Sequence, residues 1–115
     1  MDNFTYQEDD ENPGNFWVSG SAFKETCTDG EWTAEPIYWI EVDGEVDYID
    51  NHGLRHICEV YFPNTHPDPE SGMFFCDTHT KYEAKALADL LNNPSLVERM
   101  FLALVNTGYI TKEEN

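Results

Sequence analysis

Two Asp-Gly pairs, Asp29-Gly30 and Asp43-Gly44, each set between short β-forming runs, constrain this chain's fold more than any other feature. Asp-Gly between such runs is a strong short-range hairpin signal, because the turn needs positive φ and Gly supplies it without steric cost. Read outward from these turns, strands are predicted at about 16–24, 32–42, 45–50, 55–62 and 73–77. The stretch DNHG at 50–53 reads as a further turn, and PNTHPDPESG at 63–72 as a Pro-rich loop. Sequential strands tend to be neighbours, so the expectation is an antiparallel β-meander of about five strands.

From Thr80 the period changes from two to 3.6 residues. Thr80 and Glu83 form a capping box, and Ala84, Leu87, Ala88 and Leu91 make one apolar stripe. Asn93-Pro94 is an N-cap and first-turn pair for a second helix with Val97, Met100, Phe101, Leu104 and Val105 on its buried side, closed by Gly108. The predicted class is α+β, a meander covered on one face by a C-terminal two-helix hairpin. Residues 1–15, polar and acidic and ending at Pro13-Gly14, read as a flexible tail that Phe4 and Tyr6 can anchor. Residues 16–115 then make a single α+β domain.

Charge narrows the partners. Of 115 residues 23 are acidic and 6 basic, a formal net charge of −17. The imbalance is concentrated in residues 1–50, where 14 acids face Lys24 alone. Nucleic acid and anionic membrane are poor ligands for such a surface, since both are bound by Lys and Arg. A basic protein is the natural complement. No apolar run approaches the roughly 18 residues that span a bilayer. Three cysteines cannot all pair in one chain, and no secretory signal pattern opens the sequence, so free thiols in a cytoplasmic setting are expected.

The hairpin IEVDGEVDYID at 40–50 carries Glu41, Asp43, Glu45, Asp47 and Asp50 without a basic residue. A two-residue turn would set Glu45 opposite Val42 and Asp47 opposite Ile40, mixing charge and apolar groups. A three-residue loop instead pairs Ile40 with Val46 and Tyr38 with Tyr48 on a buried face. It leaves Glu41, Glu45, Asp47 and Trp39 on an outer face with Asp43 at the tip, and this register is the expected one. Glu31 and Glu35 of the preceding hairpin would widen that surface. Like charges opposed across strands cost a few tenths of a kcal/mol or more, so the pattern suggests a purpose outside folding. The competing reading is a solvated face that serves solubility.

Other chemistry is weakly signalled. His56, Cys58, Cys76 and His79 would make a tetrahedral zinc set if positions 56 and 58 shared a strand face, although Val60 and Phe62 continue that face as ordinary core. Against an EF-hand loop, only Asp50, Gly53 and Glu59 fit. No phosphate-binding glycine loop, nucleophile elbow or acid/base pocket is evident, so neither enzyme activity nor a cofactor is expected. Trp17, Trp32 and Trp39 read as sheet packing, with Trp39 the alternative anchor for a partner.

In its size, its acidic hairpin EVDGEVD and its lack of a catalytic motif, the chain resembles small acidic phage-encoded inhibitors, the anti-CRISPR and antirestriction proteins. The resemblance carries over no individual residue. It implies a stoichiometric inhibitor, acting in the cytoplasm of a bacterial host. Its partner would be a basic nucleic-acid-binding CRISPR or restriction effector, blocked by imitation of DNA or RNA. An immunity or antitoxin-like protein covering a nuclease toxin, or a phage accessory protein with solubilising charge, are the alternatives.

Overall fold

The structure, a computed structural model, describes residues 3–68 and 72–110. Among them the order is β1 (Thr5–Glu8), β2 (Phe16–Gly20), β3 (Phe23–Thr28), β4 (Glu31–Pro36), β5 (Trp39–Val42), β6 (Glu45–Tyr48), α1 (Asn51–Tyr61), β7 (His66–Asp68), β8 (Phe74–Thr78), α2 (Lys81–Leu91) and α3 (Pro94–Asn106). This is the α+β class read from the sequence, with antiparallel strand pairs and the C-terminal helices packed on strands. The strand order is not that of sequential neighbours. β1, β2, β8 and β7 form a four-stranded sheet in that order, while β3–β4 and β5–β6 are separate hairpins.

Period-two burial sorts the sheet into two faces. Val18, Phe74, Cys76 and Thr78 are buried on one, and Trp17, Phe75, Asp77 and His66 stand on the other. α2 packs on β1, β2 and β8, and α1 on β7, β8 and α3. The C-terminal helices start and stop where expected, with the Thr80 half of the capping box in place. Thr80 Oγ1 accepts from Glu83 N–H at 3.1 Å, Asn93 caps α3 ahead of Pro94, and Gly108 takes φ +79° after it. Ala84, Leu87, Ala88, Leu91, Val97 and Leu104 are buried in the core, where the Tyr38 hydroxyl donates to the Leu91 carbonyl. No helix among the described residues is long and apolar enough to cross a membrane.

Three local expectations are corrected. The strand predicted at 55–62 is helix α1, capped by Asp50, whose carboxylate accepts from Gly53 N–H at 2.9 Å. Leu54, Ile57, Cys58 and Tyr61 recur at helical spacing, but the alternation His56, Cys58, Val60, Phe62 over the same residues imitates a strand. The predicted loop at 63–72 contains β7, which pairs with β8; its residues 69–71 lie outside the described residues.

The N-terminal segment, expected as a flexible tail, supplies β1 at the sheet edge. Phe4 is 2% exposed and stacks edge-to-face on Phe74. The Asn92 side chain accepts from Phe4 N–H at 2.9 Å and donates to Phe4 C=O at 3.0 Å, doing for one residue what a neighbouring strand would do. Gly20 leaves room for this arrangement, since a Cβ there would lie 2.5 Å from the Phe4 ring.

Candidate functional site

Both Asp-Gly pairs form two-residue turns. Asp29 and Gly30 take φ +53° and +81°, Asp43 and Gly44 +52° and +82°. Positive φ at both central residues matches the right-handed twist of the strands, and Asp tolerates it better than most side chains. The second turn overturns the register expected for the acidic hairpin. Trp39 pairs with Tyr48, Ile40 with Asp47, Glu41 with Val46 and Val42 with Glu45. This is the mixed arrangement that separation of charged and apolar groups disfavours.

The physical reason is that the core claims little of this hairpin. Ile40 is buried, Val42 is partly buried, and Tyr38 and Ile49 at the base are fully buried. Val46 and Tyr48, expected inside, are 69% and 44% exposed. With one strand's worth of inward anchoring the outer face need not be polar, and the turn geometry decides.

The expected acidic face is therefore divided. Glu41 shares a face with Trp39, Val46 and Tyr48, whereas Glu45 and Asp47 share the other with Ile40 and Val42. Asp47 Oδ1 accepts from Tyr48 N–H at 2.8 Å. Asp43 sits in the turn.

Glu31 and Glu35, expected to widen the acidic face, lie on β4 of the separate β3–β4 ribbon. Apart from Phe23 and Pro36 at its base, every residue of β3 and β4 is exposed. One face presents Glu25, Cys27, Trp32 and Ala34, the other Lys24, Thr26, Thr28, Glu31, Thr33 and Glu35. Thr26 and Thr33 hydroxyls hydrogen-bond across it at 2.9 Å.

Trp32, near the ribbon's turn, is 71% exposed, against the expectation that it packs in the sheet. At the hairpin bases Phe23, Tyr48 and Trp39 form a chain of edge-to-face rings with centroids 5.6 and 6.1 Å apart. These exposed aromatics set among carboxylates are not visible in the net charge. The available signal is the Asp29-Gly30 turn, whose two-residue register puts Glu25 on the same face as Trp32 and so makes that face a poor core. The molecule's radius of gyration is 14.8 Å, above the roughly 13 Å of a compact chain this long, as expected of projecting ribbons.

The suggested zinc set does not assemble. With α1 a helix, His56 points to solvent, 3.6 Å from Glu59, while Cys58 is buried. The Cys58 thiol hydrogen-bonds with Cys76, and this bond and burial push its ionisation far above the ordinary range; the same bond favours charge on Cys76. The two are small core residues between α1 and β8, and Cys27 is exposed on the ribbon. His79 instead meets His66, their Nε2 atoms 3.2 Å apart on the open side of the sheet. Among the described residues no three His, Cys, Asp or Glu side chains converge as a metal-binding group.

Comparison with known proteins leaves the reading to this geometry: no family model, no curated protein and no solved structure matches the chain.

Proposed function

We propose that this chain is a non-enzymatic binding protein whose two hairpins engage a basic, nucleic-acid-binding surface of another protein, in the manner of anti-CRISPR and antirestriction inhibitors. The observation that carries the reading is the exposure of Trp32, Trp39, Val46 and Tyr48 on strand faces shared with Glu25 and Glu41, with Glu31 and Glu35 on the ribbon's other face, on a chain of net charge −17. A two-stranded hairpin alone is marginal in water, and like charges along it do not help. An Arg-lined groove supplies what the ribbons lack. Guanidinium groups pair with carboxylates and stack on indole faces, and burial of the aromatics adds affinity that salt does not screen.

Nucleic acid would be displaced because carboxylates occupy the cations its phosphates need. The setting is the cytoplasm of a bacterial cell, where effectors of this kind work on DNA or RNA.

The test is capture from bacterial lysate at low and high salt, with identification of the retained protein. The reading predicts a nucleic-acid-binding protein whose retention falls with salt. Trp32→Ala with Trp39→Ala should weaken capture at both salts, whereas Glu41→Gln, Glu45→Gln and Asp47→Asn together should weaken it mainly at low salt. Salt-insensitive capture of proteins with no basic surface, unaffected by either set, contradicts it.

A further inference from the structure

The open face of the four-stranded sheet carries a cluster unrelated to the hairpins. His66 on β7 pairs in register with Asp77 on β8, and His79 follows β8 at the entry to α2. Both imidazoles are exposed, with Nε2 atoms 3.2 Å apart, ring centres 5.1 Å apart and planes at 77°.

Those values match a chelate. Two nitrogens bound to one tetrahedral zinc at about 2.0–2.1 Å are separated by about 3.3 Å. Rings facing each other nitrogen to nitrogen along a line would have centres further apart than is seen, so the rings tilt off that line, as they do around a shared metal. The surroundings favour a cation as well. Asp77 stands opposite His66 in the β7–β8 register, which sets a carboxylate beside the pair.

We propose that His66 and His79 form a surface site for a divalent transition metal of the zinc class, bridging β7 to the β8–α2 junction. Imidazole nitrogen suits zinc, copper and nickel, whereas an all-oxygen shell suits calcium or magnesium. The two nitrogens are in place; Asp77, by side-chain rotation, and water complete the coordination. A metal held here ties the short edge strand β7 to β8 through side chains as well as through its backbone ladder. The site rests on geometry distinct from the hairpins and stands or falls apart from the proposed function.

The test is zinc alone, titrated calorimetrically into Cys27→Ser protein so that the exposed thiol does not compete. One equivalent should bind, with a rise in Tm. His66→Ala and His79→Ala should each abolish both effects while leaving the metal-free Tm unchanged, as befits exposed side chains. His56→Ala should bind as the parent does, and Asp77→Asn should bind more weakly, by about 10- to 100-fold. No binding at millimolar zinc would show a hydrogen-bonded histidine pair, and binding retained in the His66→Ala/His79→Ala double variant would place the metal elsewhere; either result overturns the proposal.

Discussion

Asn92 holds the N-terminal segment in the fold by satisfying both backbone groups of Phe4. Removing one partner of a buried polar group costs its desolvation, about 1–3 kcal/mol each. Asn92→Ala should therefore destabilise the protein by about 1–3 kcal/mol in urea unfolding, since water reaches part of the freed groups. A change within a few tenths would mean that β1 is held by the Phe4 ring and its ladder to β2 without the Asn92 bonds.

Asp77 makes a second residue-scale prediction, of opposite sign. Partial burial first, then the carboxylates of Asp68 and Asp9, raise its carboxyl above the ordinary value, outweighing His66 and His79. A folded-state value above the unfolded one favours the protonated form on folding. That contribution is complete below the unfolded value of about 3.9 and is lost as pH rises through the folded value. Ionised Asp77 thus opposes folding at neutral pH. Asp77→Asn should raise Tm at neutral pH, with the difference closing as melts are repeated down through the carboxylate range. A difference that is independent of pH would contradict this.

At the scale of elements, the β3–β4 ribbon is the part of the structure that folding needs least. Its exposed residues contribute little burial, so Trp32→Ala should change stability by no more than about 0.5 kcal/mol. Backbone amides of β3 and β4 should exchange with solvent well before those of β2 and β8, whose ladder is covered by α2. Exchange as slow as in the central sheet would mean that the ribbon is not a free arm.

Elements also show what the sequence made legible. The helix pair was readable because caps and apolar stripe agree at Thr80, Asn93 and Gly108. α1 was not, because eleven residues beginning with Asn-His-Gly carry two overlapping periods, and only Asp50 as a cap tips the balance. The turns at 29–30 and 43–44 were visible as turns. The register at 43–44 is not legible from face separation, because the outer side of this hairpin meets no core. The same absence of a covering core leaves Trp32, Val46 and Tyr48 exposed, although their apolar character reads as packing. The His66–His79 pair depends on β7 joining β8, a pairing inside a Pro-rich stretch that composition marks as loop.

For the whole molecule the net charge of −17 sets the terms. Among the described residues Lys85–Asp89 is a lysine–carboxylate ion pair, at 2.7 Å and largely exposed, and one such pair offsets little of the repulsion. Stability should rise as salt is added from about 0.01 M to about 1 M, over which the Debye length falls from about 30 Å to about 3 Å. A flat or falling Tm would show that the carboxylates are spaced too widely to repel.

Partner binding should move the opposite way with salt, because there the charges attract. The most direct test of the account is competition on the captured partner: binding of this chain is measured while DNA or RNA is titrated in, and the reverse. Mutual, stoichiometric displacement that needs Trp32 and Trp39 is the predicted result. Simultaneous binding of the chain and nucleic acid to the partner would contradict it.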